Sequence, residues 1–457
     1  ELLAEFGKGI VCCSACLGGE IPAAIIAGNE EKAKKIAGEY ADIFGRDRFF
    51  LEIQNQGYPE QAEVNPALVR IAREVGVGLV GTNDAHFLNK EDKSTHEIVT
   101  CISMRKKLNE EEQQRYSPEL YFKSQEEMRA SLSDWPEAIA NTLRIAEMNE
   151  AKPDFTRKHL PAFPTPGNEP AGKFLAGLAW EGLRLRFGGQ EPPKQYRDRL
   201  ARELDVIEGK GYSSYFLIVN DCVQFARKNS IPAGPRGSGV ATLVGYALQI
   251  SHVDPLKFDL IFERFTDPQR EEDPDIDLDF CQNGREKVIE YVRNQYGHVA
   301  QIITFGTIKA RGAIKDVGRV MDIPPAETDR ISKMLGDDQQ ILLKDALKDQ
   351  PDFRGLYESS EKMRTLIDHS LKIEGAIRNP GVHAAGIVIC NHPIDDVVPL
   401  CIPEKNEEKS GSKTANGGMV VMTQWDGTTC GKVNLMKMDF LGLRTLTIIQ
   451  RARDLVR

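Results

Sequence analysis

Residues 271–280 read EEDPDIDLDF. Asp273, Asp275, Asp277 and Asp279 alternate with Pro274, Ile276 and Leu278, and Phe280 follows. Side chains of a strand alternate faces with a period of two, so this spacing predicts a strand with Asp275, Asp277 and Asp279 on one face and Ile276, Leu278 and Phe280 on the other. The apolar face can be buried. The acidic face is the constraint, because Asp is a poor strand former and like charges on one face repel. A solvated acidic edge resolves the conflict. So does a divalent cation, for which carboxylate oxygens are natural ligands. Counted from Asp275, acids at loop positions 1, 3 and 5 and Glu286 at position 12 imitate a calcium loop, but position 6, where the turn needs glycine, is Phe280. Two carboxylates on a rigid strand suit magnesium bridged to substrate phosphates instead.

The chain has 457 residues, of which 41% are hydrophobic and 28% charged, an ordinary globular balance with room for two to four domains. Its net charge is −9, so nucleic acid can be held only by local basic stripes. No apolar run approaches membrane-span length and the N-terminus lacks a signal-peptide pattern, so no membrane association is expected. The 9 cysteines are too sparse for a disulfide framework and fit reduced thiols in a cytoplasm. Residue 1 is Glu, and the helical pattern of TLTIIQRARDLVR runs out uncapped, so a fragment of a longer protein is expected.

Residues 1–150 alternate helical pieces (EEKAKKIAGEYADIF, PALVRIAREVG) with strand-like ones (RFFLEIQ, VGLVGTN), the rhythm of an α/β layer or barrel. Pro153, Pro161, Pro164, Pro166 and Pro170 mark a linker. Longer helices follow: QYRDRLARELDVIEGKG, YFLIVNDCVQFARKN and, after the acidic strand, REKVIEYVRNQYG with Val288, Ile289, Val292 and Tyr296 on one face. Residues 403–418 are polar and Gly/Ser-rich and read as an exposed loop.

Three further stretches carry chemistry. In Pro235-Arg236-Gly237-Ser238-Gly239 the glycines let backbone N–H groups approach phosphate, and Ser238 and Arg236 add donors, although a short Gly-rich loop also serves as a plain turn. In VNLMKMDFLGLR, Asp439 interrupts an apolar strand-like run, with Lys437 on the same face. It either caps the following helix or supplies a third carboxylate beside Asp275 and Asp277. Near the N-terminus, Cys13 and Cys16 form a CxxC without a second pair, and Asp84 and His86 would point the same way at a strand end, as metal ligands do and as a structural pair also can.

The ordered set GPRGSG, LIFERF, PDIDLDF, QIITFGT, DVGRVM, RNPGVHAAGIVI and KMDFLGLRTL resembles, over essentially the whole chain, the alpha subunits of bacterial DNA polymerase III, the C-family replicative polymerases. The resemblance implies an α+β, partly α/β, multidomain fold. Residues 1–150 would form the C-terminal half of a PHP domain, a distorted α/β barrel, and 151–306 the linker and first part of a polymerase-beta-like nucleotidyltransferase palm. Residues 307–384 would form a helical thumb, 385–444 the second part of the palm, and 445–457 the start of the fingers. The motif Asp carried over as ligands of two Mg²⁺ ions are Asp275, Asp277 and Asp439, with Asp279 in support. Arg236, Gly237 and Ser238 fall where a Gly-Ser loop contacts the incoming triphosphate. That loop is one residue shorter than the family's usual G-P-G-R-G-S.

The implied chemistry is in-line transfer from a dNTP to a primer 3′-hydroxyl, one metal activating the hydroxyl and the other holding the triphosphate. The implied DNA contacts are Arg311, Lys315 and Arg319, which share one stripe of one helix, with Arg378, His383 and Lys437. A solvated helix face would show the same spacing. The PHP pattern points to Cys16, Asp84 and His86, with Zn²⁺ or Mn²⁺ in the complete protein. The early His-x-His ligands lie outside this sequence, and exonuclease activity is not implied. Primer-template DNA, dNTPs and, through the complete protein, a sliding clamp, a clamp loader and a proofreading subunit are the expected partners. A phosphoesterase centred on Asp84 and His86, and a non-catalytic nucleic-acid clamp or calcium module, are the competing readings. The isolated chain is expected to have little polymerase activity.

Overall fold

A computed structural model describes residues 1–109, 116–152, 154–267, 269, 276–403 and 420–456. The chain divides into two compact units, residues 1–152 with 307–376, and residues 153–306 with 377–457. The expected loop at 403–418 and the acids Asp273 and Asp275 lie almost wholly or wholly outside the described residues.

The first unit begins with three parallel strands, β1 (Cys12–Cys13), β2 (Phe49–Ile53) and β3 (Gly78–Gly81), in that spatial order. Helices Glu30–Phe44 and Gln61–Val75 connect them, as crossovers between parallel strands must. Asn29 caps the first by accepting from Lys32 N–H, and Gly76 ends the second in the left-handed conformation (φ 79°). Ala33, Ala37 and Ala41 recur every turn and let Glu30–Phe44 lie close against the buried Phe49, Leu51 and Ile53. Residues 307–376 build a separate helical core. Ala313, Ile314 and Val317 of the helix Ala310–Val320 pack with Leu366 and Ile367 of Glu361–Ile373, and with Ile98 and Cys101 of Lys93–Met104.

The second unit is a seven-stranded mixed sheet. Its strands are β4 (Ala233–Pro235), β5 (Leu278–Cys281), β6 (His298–Thr307), β7 (Ile377–Cys390), β8 (Leu400–Cys401), β9 (Met422–Asp426) and β10 (Lys437–Leu443), in the order β4-β5-β10-β7-β6-β9-β8. β10 is parallel to β5 and antiparallel to β7, so the last strand in sequence lies inside the sheet. Leu278, Phe280, Met438, Phe440, Ile387 and Ile389 form one face and are buried under the helices Ser213–Lys228 and Arg285–Tyr296. Val288, Ile289 and Val292 are the buried side of the latter helix, as its spacing predicts. β7 begins at Ile377 and runs unbroken to Cys390, so the boundary expected at 384/385 falls inside a strand.

Candidate functional site

The apolar face of β5 and β10 fixes where their acids point. Phe440 is level with Leu278, and Leu441 with Asp279. One step back along both parallel strands, Asp439 is level with Asp277. Leu278 and Phe440 point into the core, so Asp277, Asp279 and Asp439 share the opposite face. Lys437 and Gly386 share that face too, because Asp439 stands opposite Gly386 and Lys437 opposite Val388. Leu278–Cys281 is paired as strand on both sides, which rules out a calcium loop there. β10 continues to Leu443 before the next helix starts at Arg444, so Asp439 is not that helix's cap.

Asp439 is 8% exposed. Its Oδ2 lies 2.7 Å from Lys437 Nζ, while Oδ1 is buried with no hydrogen-bond partner. Leaving a carboxylate oxygen bare in the interior is costly, so this oxygen is one that a donor or a cation can engage. A Cβ on Gly386 would lie 3.2 Å from that oxygen and 2.9 Å from His383 Nδ1, so only glycine leaves this space clear. His383 Nδ1 accepts from the N–H groups of Ala385 (3.1 Å) and Gly386 (2.6 Å), which puts the ring proton on Nε2.

Arg236 bridges the other two acids, with Nη2 3.5 Å from Asp277 and Nε 3.6 Å from Asp279. Its own N–H donates to the Asp277 carbonyl at 2.9 Å. Burial holds the Asp279 carboxyl above the ordinary carboxylate range, Arg236 opposes this, and the charge of Asp277 adds to it. Gly237 has φ +61°, a conformation that favours glycine, and Gly237 and Ser238 are exposed directly after Arg236. The Gly-Ser loop and the acidic strand therefore meet, as their pairing in the sequence predicts. The acids themselves are held by Arg236 and Lys437, two cations against three carboxylates, so the charge of this face is only partly offset from within the chain.

Two positioning residues carry no signal in the sequence. Arg285, with its side chain 14% exposed, donates to the carbonyls of Phe440 (2.6 Å) and Ala384 (2.5 Å) and so ties β10 to β7 beside the acids. Glu203 is fully buried and accepts from Thr242 Oγ1 (2.8 Å), Leu243 N–H (2.7 Å) and Val244 N–H (3.1 Å), anchoring the segment that follows the Gly-Ser loop. Each contact spans the fold, and only the assembled chain reveals it.

The expected DNA contacts fall in both units. In the first, Arg311 donates to the Gly336 carbonyl, and Lys315 pairs with Asp329 at 2.7 Å with both side chains about half exposed. Arg319 is half-buried on the same helix. In the second, Arg378 is exposed at the start of β7, while His383 and Lys437 belong to the acid cluster.

Cys16 follows β1, and Asp84 and His86 follow β3, so all three lie beyond the C-terminal ends of parallel strands, the usual place for ligands. His86 Nε2 is 3.5 Å from Asp84 Oδ1. Glu52, which sequence reading passed over, lies at the same end of β2. Burial raises its pKa, Thr82 and Gln54 oppose by hydrogen bonding, and the charge of Asp84 raises it further. The adjacent Cys13 thiol is pushed up to about 11, by burial and by Glu52. Among the described residues Cys16, Asp84 and His86 do not close into a three-ligand cluster. No described helix is long and apolar enough to cross a membrane.

The family described as bacterial DNA polymerase III alpha NTPase domain matches residues 173–442, and the PHP domain family matches residues 1–56. The protein named DNA polymerase III subunit alpha from Borreliella burgdorferi is 42% identical over 461 residues, covering 100% of this chain and 39% of its own length. Those of the same name from Treponema pallidum and Escherichia coli K12 are each 38% identical over the whole chain. The chain thus spans about two fifths of the length of these curated relatives.

Proposed function

Because this chain belongs to the bacterial DNA polymerase III alpha-subunit family, we propose that its seven-stranded sheet is a polymerase palm, the seat of nucleotidyl transfer from a dNTP to a primer 3′-hydroxyl. The observation that carries this reading is that Asp277 and Asp439 directly precede the paired Leu278 and Phe440 of two adjacent parallel strands, with one buried, unpartnered carboxylate oxygen on Asp439. Asp275, two residues before Asp277, completes the proposed set from sequence alone, since it lies outside the described residues.

An all-oxygen donor set with a vacant buried position fits a hard divalent cation, and Asp275, Asp277 and Asp439 would hold Mg²⁺. Bound there, Mg²⁺ supplies charge neutralisation for phosphate oxygens and for an ionising hydroxyl. The chain's own groups do the rest. Arg236 now spends its charge on Asp277 and Asp279. With Asp277 engaged as a metal ligand, the guanidinium would be released from that carboxylate and would donate to a triphosphate presented at Gly237 and Ser238. Lys437, beside Asp439 at 2.7 Å, is the proposed contact to a DNA phosphate. Gly386 keeps the ligand oxygen accessible. His383, with its proton on Nε2, is a ready donor to the primer backbone. The helical segment 307–376 serves as thumb in this reading, with Arg311, Lys315 and Arg319 as its phosphate-contacting stripe.

The test is primer extension by the full-length protein carrying Asp277→Asn or Asp439→Asn. Each substitution is expected to lower extension by more than about 100-fold, a loss that even outer-shell partners of a metal reach, while DNA binding is retained. Wild-type extension by the Asp439→Asn protein would remove the three-acid site.

A further inference from the structure

Cys390, the last residue of β7, is 0% exposed, and His159, in the segment before the first helix of the second unit, is 5% exposed. With His392 they offer two imidazole nitrogens and a thiol sulfur that all lie within 4.8 Å of one another. None of the three has a part in the proposed transfer chemistry.

The hydrogen bonding fixes which atoms face inward. His392 Nδ1 lies 3.1 Å from the Pro393 carbonyl, which can only accept, so Nδ1 carries the proton and Nε2 presents its lone pair. That Nε2 is 2.9 Å from His159 Nδ1. The carbonyl, with Asp396 Oδ2 at 3.7 Å from the same Nδ1, is the outer support that metal-bound imidazoles ordinarily have. Burial and the neighbouring ring hold His159 below its ordinary pKa, which favours its neutral form. His159 Nδ1 donates its proton to His392 Nε2, and that proton would move to His159 Nε2 when a metal takes the Nδ1 lone pair. Burial raises the Cys390 thiol. A metal ion would offset the cost of ionising that thiol in place of its proton.

We propose that His159, Cys390 and His392 form a zinc site that fastens the 155–159 segment to the end of β7. Two nitrogens and one sulfur, with no carboxylate among the ligands, favour zinc over the hard cation proposed for the palm. Tetrahedral zinc at Zn–N about 2.0–2.1 Å and Zn–S about 2.3 Å sets ligand atoms about 3.3–3.6 Å apart. The two nitrogens, now 2.9 Å apart, therefore open by about half an ångström, with the fourth position left to water. The segment is already led to this place. The His159 N–H donates to the Asn434 carbonyl at 3.4 Å, and Asn434 Nδ2 donates to the Phe155 carbonyl at 2.6 Å. Zinc would join positions 233 residues apart in the chain, on the strand whose Gly386 faces Asp439.

The test uses the chain carrying Cys12→Ser, Cys13→Ser, Cys16→Ser and His86→Gln, which removes the N-terminal ligands, in excess Mg²⁺, which occupies carboxylate sites. After dialysis against zinc and then against buffer, one zinc per chain is expected by elemental analysis. Adding His159→Gln, Cys390→Ser or His392→Gln should abolish retention while the circular dichroism stays native. Loaded with Co²⁺, the parent chain should show a thiolate-to-cobalt charge-transfer band. That measurement decides the matter on its own if a variant fails to fold. Zinc retained by folded Cys390→Ser chains, no zinc in the parent chain, or a cobalt spectrum lacking the thiolate band would each overturn the proposal.

Discussion

At the residue scale the acidic face depends on a hydrogen atom. Gly386 sits where any larger side chain would press on His383 and on the free oxygen of Asp439. Gly386→Ala should cost about 1–3 kcal/mol of stability, the usual range for overpacking, and displace Asp439. The checks are a urea unfolding curve and primer extension in the full-length protein. An unchanged midpoint together with unchanged extension would show that the neighbours give way freely. The period of two beside a buried apolar set foretold Asp277 and Asp279 on one face; that Asp439 joins them, and does not cap the next helix, was implied only by the family resemblance. The same period foretold Lys437 beside Asp439. Gly386 and Arg285 were not legible. Their importance lies in contacts with strands that are adjacent in space and about a hundred residues away in sequence, such as Arg285 with the Ala384 carbonyl.

At the element scale, helix boundaries followed the caps and periodicities closely, as in Glu30–Phe44 and Arg285–Tyr296. What each helix packs against did not. Glu361–Ile373 lies against Lys93–Met104, where Thr95 Oγ1 is 3.0 Å from His369 Nδ1 and Lys372 pairs with Asp92 at 2.7 Å. Burial, followed by the charge of Lys372, holds His369 below its ordinary pKa. Its folded pKa is depressed, so its contribution is fully present above the unfolded value of about 6.5 and is lost as pH falls through the folded value. The melting temperature should therefore drop between about pH 7.5 and 5.5, and His369→Gln should flatten that part of the profile. A profile of equal slope in the variant would show that His369 is not its source.

At the scale of the whole molecule, the grouping of residues 307–376 with 1–152 was invisible in the sequence. It depends on Ile98 and Cys101 sharing a core with residues more than two hundred positions later. The basic stripe on Ala310–Val320 was legible, but its ion pairs were not. An exposed pair such as Lys315 with Asp329 contributes little to stability. Lys315→Met should therefore leave the melting temperature nearly unchanged while weakening DNA binding by the full-length protein. The slope of log K against log salt should fall by about one contact's worth, roughly 0.9 for duplex. An unchanged slope would take this stripe out of the interface. The strand order of the second unit has a further consequence, for the order in which the protein is made. β10 is synthesised after both β5 and β7, yet it lies between them. Until residues 437–443 have left the ribosome, β5 and β7 have no common neighbour and Asp277 has no Asp439 beside it. The late insertion of β10 thus does two things at once: it covers two open sheet edges and brings Asp439 beside Asp277.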